Sequence, residues 1–231
     1  MQRILVTGAN RGLGLEFTRQ LLVGGARVYA ACRHPGKALG LTELAAGYPG
    51  HLHVLPLELD KERSIAELVR ELGALTPALD GLINNAGMLV SGERFGELSA
   101  KALAESFGSN TIGPVLLTQA LTPLLAEGKQ AKVMNLSSRL GSIAGTGSFG
   151  TPSYAVSKAA LNMATRQLAA ALGPQITVFC VSPGWVRTDM GGAGAPLTAQ
   201  QSVAKLLAVF ARVQPDDAGR FLDLDGADIP W

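Results

Sequence analysis

The sequence predicts an α/β fold built on one doubly wound parallel sheet with helices on both faces. Short β-rich runs alternate with longer helical patterns along the 231 residues, and such alternation is typical of parallel strands joined by helical crossovers. Most of the strand candidates are apolar nearly throughout, which indicates strands buried on both faces. No linker, repeat or low-complexity tract interrupts the pattern, so residues 1–231 are expected to form a single domain.

The sheet is expected to contain about seven strands. The strand candidates are Arg3–Thr7, Ala26–Ala31, His51–Leu57, Leu79–Asn84, Ala131–Ser137, Gln175–Ser182 and Gly219–Leu224. Between them lie helical patterns over Gly12–Val23, Ser64–Leu72, Ser99–Leu125, Tyr154–Leu172 and Ala199–Val213, with glycine and proline at the joints. Right-handed crossovers place such helices on both faces of the sheet, and ligands bind beyond the carboxyl ends of its strands. We therefore expect the functional residues directly after strands.

Composition excludes several classes of protein. Lysine and arginine number 20 against 18 acids, a formal charge of +2, and no basic run points to nucleic acid or a membrane surface as a partner. Cys32 and Cys180 form no disulfide or zinc pattern. His51 and His53 share a strand face but lack a third ligand, so no metal site is predicted. Met1–Thr7 lacks the apolar stretch of a signal peptide, and a cytoplasmic location is expected.

A glycine-rich turn follows the first strand and opens the first helix. It has the sequence Thr7-Gly8-Ala9-Asn10-Arg11-Gly12-Leu13-Gly14. Glycine lets the backbone turn sharply and approach a diphosphate, whose charge is then held by free amides at the positive end of the helix dipole. The position of this loop therefore predicts a dinucleotide-binding Rossmann fold.

A tyrosine and a lysine with acid–base potential lie four residues apart at the start of a predicted helix. Tyr154 and Lys158 project from one helix face. A nearby ammonium group favours the phenolate and lowers the pKa of a tyrosine, which makes proton transfer feasible near neutral pH. Asn84–Gly87, Ser137-Ser138 and Pro183–Thr188 each end or follow a strand, so all three are predicted at the ligand edge of the sheet.

Together these motifs resemble the short-chain dehydrogenase/reductase family. In chain order they are Thr-Gly-x-x-x-Gly-x-Gly from Thr7, Asn-Asn-Ala-Gly from Asn84, a serine ending the fifth strand, Tyr-x-x-x-Lys from Tyr154 and Pro-Gly from Pro183. The resemblance covers essentially the whole chain. Within the family the sequence is similar to the C-factor and sniffer-like carbonyl reductase branch, on Ser137–Ser142, Pro183–Met190 and Phe221–Gly226.

The resemblance implies hydride transfer between a nicotinamide and a carbonyl or alcohol carbon, with Tyr154 passing the proton. Ser138 would hydrogen-bond the substrate oxygen, and Lys158 would hold the nicotinamide ribose and lower the pKa of Tyr154. Asn110 would position a water of the proton relay. The interval between Ser138 and Tyr154 is longer than is common in the family, so Ser137 is kept as an alternative active serine.

The end of the second strand predicts the choice of nicotinamide. Tyr29–Arg33 lacks the acid that NAD-preferring members usually carry there. Arg33 and Arg11 are placed to meet a 2′-phosphate, which favours NADP(H), with NAD(H) as the alternative. Asp60 resembles the family's adenine contact but would serve equally as a helix N-cap. The full set of implied cofactor contacts is Gly8, Asn10, Arg11, Gly12, Leu13, Gly14, Arg33, Asp60, Asn85, Tyr154, Lys158, Val186 and Thr188.

The expected partners are a small carbonyl or alcohol substrate and further copies of the chain. Only a short glycine-rich segment separates Pro183 from Ala199, which predicts an open substrate site. A homodimer or homotetramer is expected through Thr111–Leu125 and Ala155–Leu172. The apolar residues that suggest it are Leu116, Leu117, Leu121, Leu124 and Leu125.

An alternative function is a cofactor-binding regulatory or signalling protein with little or no turnover, as found in the same branch. Such a protein would need the glycine loop alone. The presence of Asn110, Ser138, Tyr154 and Lys158 together favours the enzyme.

Overall fold

The computed structural model describes all residues from 1 to 231, and its seven strands form one sheet. The strands are β1 (Arg3–Thr7), β2 (Arg27–Cys32), β3 (Leu52–Pro56), β4 (Gly81–Asn84), β5 (Lys132–Leu136), β6 (Thr177–Val181) and β7 (Phe221–Leu222). Every neighbouring pair is parallel, and the spatial order is β3-β2-β1-β4-β5-β6-β7. The strand order reverses between β1 and β4, and this reversal opens a crevice at the carboxyl ends of the strands.

Seven α-helices connect the strands. They are α1 (Gly12–Val23), α2 (Leu39–Gly47), α3 (Glu62–Leu75), α4 (Ala100–Phe107), α5 (Gly113–Ala126), α6 (Pro152–Leu172) and α7 (Ala199–Arg212). A π-helical turn, Gly108–Ile112, joins α4 to α5, and a 3-10 turn, Arg139–Gly141, follows β5. None of the helices is both long and apolar enough to cross a membrane.

The helices bury both faces of the sheet. One apolar layer contains Phe17 of α1, Leu41 of α2 and Leu206 of α7, all fully buried. The opposite layer contains Leu68 of α3 and Leu121 of α5. Because both faces are covered, the strands carry apolar side chains in both directions, as their sequences indicate. The predicted doubly wound Rossmann-type fold is confirmed.

Most elements begin or end within three residues of their predicted bounds, and three differences from the prediction concern the architecture itself. The helix α2 was not predicted, since it buries only Leu41 and lacks an apolar stripe. The predicted helix Ser99–Leu125 is interrupted by the π-helical turn, which separates α4 from α5. The seventh strand is two residues long, because Gly219 before it has a φ of 78° and the chain turns again at Gly226, whose N–H donates to Asp223.

Three of the five leucines that suggest a subunit interface belong to the core. Leu117, Leu121 and Leu125 are fully buried against the sheet, and Leu116 and Leu124 pack against the same layer. Most of the apolar surplus in α5 is therefore used inside the subunit, and only Leu116 and Leu124 keep part of their surface exposed. The exposed apolar side chains in the region predicted to form the interface are Ile112 in the π-helical turn, and Val156 and Met163 on α6.

Candidate active site

The carboxyl ends of four central strands gather the motifs predicted to be functional. The glycine loop follows β1, Asn85 follows β4, Ser138 follows β5 and Pro183 follows β6. Tyr154 and Lys158 lie in the first two turns of α6, which packs on β6 and on the 3-10 turn after β5. Parallel strand direction thus brings segments distant in sequence to one edge of the sheet.

Tyr154 and Lys158 form a buried pair on one face of α6. Their exposed fractions are 8% and 4%. Lys158 Nζ lies 5.6 Å from the centre of the Tyr154 ring and donates a hydrogen bond of 2.7 Å to the Leu136 carbonyl. A Cβ atom added to Gly87 would lie 3.7 Å from Lys158 Nζ. The chain after β4 therefore passes close to the lysine head group, and glycine leaves room there.

Burial controls the protonation of this pair. Desolvation raises the pKa of Tyr154 above its ordinary value, and hydrogen bonding with the Ser138 hydroxyl opposes part of the rise. Desolvation lowers the pKa of Lys158 from 10.5 to about 8. The sequence predicts a lowered pKa for Tyr154, whereas in this structure the pKa is raised. The reason is that removal of the phenol from water outweighs the attraction of an ammonium group several ångströms from the ring.

The two serines after β5 point to different surroundings. Ser137 is buried and donates a hydrogen bond of 2.6 Å to Asn162 Oδ1. Ser138 is half-buried, and its hydroxyl interacts with Tyr154 and accepts a hydrogen bond of 3.2 Å from Leu140 N. Successive residues of an extended segment face opposite sides, so only one of the two can reach the tyrosine. This geometry favours Ser138 over Ser137.

Asn110 lies in the π-helical turn and is fully buried. Its Oδ1 accepts a hydrogen bond of 2.8 Å from Met88 N, and its Nδ2 donates to Met88 O at 2.9 Å and to Ser157 Oγ at 3.0 Å. Both amide N–H donors are therefore engaged by the protein. The Asn110 side chain thus connects the segment after β4 to Ser157 of α6, one turn beyond Tyr154. A relay water could bind Asn110 only by donating a hydrogen bond to one of its oxygen atoms.

Close packing explains two of the three glycines in the loop. A Cβ atom at Gly14 would lie 2.1 Å from the Gly8 carbonyl oxygen, and one at Gly8 would lie 2.8 Å from Ala86 Cα. Asn85 fixes the same loop, since its Nδ2 donates to Thr7 O at 2.8 Å. Asn85 thus holds the loop in place, and its predicted contact with the cofactor stays a prediction.

The open side of the loop suits an anion. Gly12 has a φ of 54°, in the left-handed region that favours glycine. Arg11 stands at the N-cap of α1 and supplies no side-chain cap, so the first amides of the helix have no side-chain partner. Asn10 is exposed beside them, and Leu13 packs against the core beneath. A diphosphate placed here would meet free N–H groups and the positive end of the helix dipole.

Arg33 follows β2 and is exposed. It lines a cleft of about 310 Å³ together with Lys61 and Arg63. Each of those two is paired with an acid, Lys61 with Glu58 at 2.6 Å and Arg63 with Glu67 at 2.9 Å, whereas Arg33 makes no ion pair. A single free guanidinium therefore remains at the position predicted to meet a 2′-phosphate.

Asp60 does not cap the helix that follows it. The N-cap of α3 is Lys61, and no side chain caps the helix there. Asp60 is exposed and lies near Gly108, where an added Cβ would be 3.9 Å from Asp60 Cβ. The N-cap alternative is thus wrong, and the carboxylate remains available at the edge of the crevice.

The segment after β6 is held by its own hydrogen bonds. Val186 pairs with Leu197 in a short β-bridge, and Thr188 Oγ1 accepts from Gly191 N at 3.2 Å. Thr188 also contacts the glycine loop, because a Cβ on Gly12 would lie 3.5 Å from its methyl group. The segment is thus bonded internally, although its glycines suggest mobility.

The segment after β6 also contacts Arg11, one of the two arginines predicted to bind the 2′-phosphate. Asp189 forms an ion pair with Arg11, and both side chains are more than 60% exposed. The sequence predicts Arg11 as a free cation for the 2′-phosphate. Of these two arginines only Arg33 is unpaired in this structure, because the tertiary fold places Asp189 of the segment after β6 opposite Arg11.

Several polar residues at the site were missed in the sequence. Asn162 holds Ser137, Ser157 receives Asn110, and Glu93 binds Ser153 at the start of α6. Ser157 could have been noticed inside Tyr-x-x-x-Lys. Asn162 and Glu93 belong to no motif, and their partners are 25 and 60 residues away.

Comparisons with known proteins agree with this arrangement. The model of the short chain dehydrogenase family matches residues 2–196. The C-signal of Myxococcus xanthus is 40% identical over 158 residues, which cover 68% of this chain and 95% of that protein.

Two solved structures superpose on the whole chain. The carbonyl reductase Sniffer of D. melanogaster is 33% identical with a TM-score of 0.95, and all of both chains is covered. The NADPH-bound carbonyl reductase from chicken fatty liver is 36% identical, also with a TM-score of 0.95, over 100% of this chain and 99% of that one. With the motifs, the fold and the family model in agreement, the chain belongs to the short chain dehydrogenase family.

Proposed function

We propose that this protein is an NADP(H)-dependent oxidoreductase that reduces small aldehydes or ketones to alcohols, or runs the reverse reaction. The observation that carries the proposal is the buried Tyr154 between Ser138 and Lys158 at the carboxyl edge of the sheet. The NADPH-bound carbonyl reductase of the same fold supports the cofactor and the reaction class.

The residues at this edge fit a dinucleotide phosphate. Gly12 has a positive φ angle, and a Cβ atom there would meet nothing nearer than the Thr188 methyl group at 3.5 Å. The uncapped start of α1 would hold the diphosphate, and the unpaired Arg33 would hold the 2′-phosphate through its fork of donors. Bound there, NADPH supplies a hydride to a carbonyl carbon.

Tyr154 is the proton donor for reduction. Its raised pKa keeps the phenol protonated at neutral pH, so it can give a proton to the substrate oxygen as that oxygen gains charge. The Ser138 hydroxyl binds the same oxygen and the phenol. Lys158 stays largely charged below its pKa of about 8 and stabilises the phenolate that the transfer leaves behind.

The entrance to the site favours small substrates. The segment from Pro183 to Leu197 contains turns and a β-bridge but no helix that would form a lid. Trp185 and Met190 in this segment are 60% and 44% exposed, which offers apolar contact at the edge of the site. An open apolar edge suits small aldehydes and ketones better than a steroid-sized ligand.

A regulatory role is the second candidate, favoured by the 40% identity to the C-signal of Myxococcus xanthus. A regulatory protein would bind the cofactor and turn over no carbonyl compound. It would not require the buried Tyr154 and Lys158 pair, whose desolvation costs stability.

The test is Tyr154→Phe, assayed by NADPH consumption against a panel of aldehydes, ketones and quinones. The substitution removes one oxygen and keeps the ring packing, so kcat falls by roughly 10²–10⁴-fold while the Kd for NADPH changes little. The matched control is Tyr48→Phe at the end of α2, which lies outside the site and keeps wild-type activity.

Two outcomes would contradict the proposal. Near wild-type turnover in Tyr154→Phe would make Tyr154 a structural residue. Tight binding of NADPH by the wild-type protein with no turnover of any carbonyl or alcohol would establish the regulatory role instead.

A further inference from the structure

We propose that Glu93 is a positioning residue for catalysis: it caps the amino end of α6 from another part of the chain and thereby fixes the turn that carries Tyr154. The inference rests on the proposed function of Tyr154 as proton donor. Glu93 lies on the segment after β4, 60 residues before its partner Ser153.

The contact between Glu93 and α6 is direct. Glu93 Oε2 accepts hydrogen bonds from Ser153 N at 3.2 Å and from Ser153 Oγ at 2.8 Å. Ser153 is fully buried and immediately precedes Tyr154. Any displacement of Ser153 therefore moves the attachment point of the catalytic phenol.

The helix cannot cap itself at this end. Thr151 occupies the N-cap position with a φ of 42° and offers no side-chain hydrogen bond. An N-cap residue ordinarily adopts an extended backbone and accepts from the amides of the first turn. The Glu93 carboxylate replaces that missing acceptor, and its negative charge is favourable at the positive end of the helix dipole.

The same segment is anchored at its other end by the site already described. Asn110 binds both backbone groups of Met88 and also Ser157 Oγ. Gly92, with a φ of 79°, turns the chain so that Glu93 reaches α6. Ser153 and Ser157 lie one helical turn apart, so Glu93 and Asn110 hold the same face of α6 on either side of Tyr154.

The second carboxylate oxygen of Glu93 shows which substitution should preserve the contact with Ser153. Glu93 Oε1 is buried and has no hydrogen-bond partner. Only one oxygen is therefore needed for the cap, and an amide oxygen has the same acceptor geometry. Glu93→Gln should keep the two hydrogen bonds to Ser153, whereas Glu93→Ala removes them.

The experiment compares Glu93→Ala, Glu93→Gln and Ser153→Ala with the control Glu97→Ala, an exposed acid on the same segment. Two quantities are measured: steady-state kinetics with NADPH and a carbonyl substrate, and hydrogen exchange of the amides of Tyr154 and Ala155. In Glu93→Ala we expect kcat to fall about tenfold, with the KM for NADPH within about twofold, because misplacement by a fraction of an ångström weakens proton transfer. Amide exchange in the first turn of α6 becomes faster.

The pattern among variants separates positioning from a general loss of stability. Glu93→Gln retains at least about a third of wild-type kcat, and the double variant Glu93→Ala/Ser153→Ala is no slower than the slower single variant, because the two residues form one contact. Unchanged exchange at Tyr154 in Glu93→Ala would overturn the inference whatever the activity. Equal kcat losses in Glu93→Gln and Glu93→Ala, or a loss in Glu97→Ala, would overturn it as well.

Failure of the proposed function has a different signature. It would be seen in the wild-type protein as absence of turnover, before any variant is compared. If Glu93→Ala proves too unstable to purify, Ser153→Ala carries the test alone: it removes the hydrogen bond from Ser153 Oγ and keeps that from Ser153 N. A lower kcat at constant KM is then expected, and an unchanged kcat would overturn the inference.

Discussion

Replacing Lys158 with methionine should abolish turnover and, at neutral pH, make the protein more stable. Lys158 is 4% exposed, and burial lowers its pKa from 10.5 to about 8. One pKa unit corresponds to about 1.4 kcal/mol, so keeping this group charged at pH 7 costs the folded state roughly 3 kcal/mol. Methionine is similar in length and carries no charge.

Part of that gain is offset by a lost hydrogen bond. Lys158 Nζ donates to the Leu136 carbonyl at 2.7 Å, and removal of a partner from a buried group costs about 1–3 kcal/mol. We therefore expect the free energy of unfolding of Lys158→Met to exceed that of the wild type by roughly 1 kcal/mol at pH 7.

The pH dependence gives the sharper test. Between about pH 8 and 10.5 the unfolded wild-type chain holds the Lys158 proton while the folded chain has lost it. Wild-type stability therefore rises with pH in this window, and the advantage of Lys158→Met shrinks and disappears. Comparison with the variant removes the contribution of groups that titrate there independently of Lys158.

Urea unfolding followed by circular dichroism at several pH values from 7 to 10 measures both effects. The control is Lys129→Met, an exposed lysine that makes no side-chain hydrogen bond and should leave stability unchanged. A Lys158→Met variant that is less stable than the wild type by about 2 kcal/mol or more at pH 7 would show that the buried charge does not destabilise the wild-type protein. A difference in stability that does not change with pH would show the same.

Substitutions of Arg33, Asp80 and Met163 test other parts of the structure. Arg33→Ala should weaken NADPH binding about 10–100-fold and leave NADH binding unchanged, because a charged hydrogen bond to the 2′-phosphate is lost; fluorescence titration that shows equal losses for both cofactors would contradict this. Asp80, at the amino end of β4, binds Arg3 at 2.8 Å and has its pKa lowered to about 2. Asp80→Asn should therefore cost about 2 kcal/mol at pH 7 and progressively less as the pH falls from 4 towards 2, with activity unchanged; a pH-independent loss in denaturant titrations would argue against it. If the chain forms the homodimer expected from α5 and α6, Met163→Glu on their exposed face should give a monomer by light scattering, and a wild-type monomer at micromolar concentration would dismiss that interface.

The fold and the local parts of the site can be predicted from the sequence. Strand order along the chain, the glycine loop and the pair Tyr154 and Lys158 depend on residues close together in sequence, where periodicity and spacing carry the information. Apolar strands separated by helices permit few other topologies, and parallel strands must bring their carboxyl ends to one edge. The helix α2 could not be predicted in this way, because it buries a single residue and so has no periodic pattern of apolar residues.

Which groups meet, and how their protons behave, depends on contacts between distant parts of the chain. Ser138 rather than Ser137 faces Tyr154, because alternate residues of the extended chain point to opposite sides and Asn162 captures the other one. Arg11 forms an ion pair with Asp189, which lies 178 residues later in the sequence. The pKa of Tyr154 is raised and not lowered, since desolvation is produced by neighbours from several elements at once, and no local pattern in the sequence encodes their combined packing.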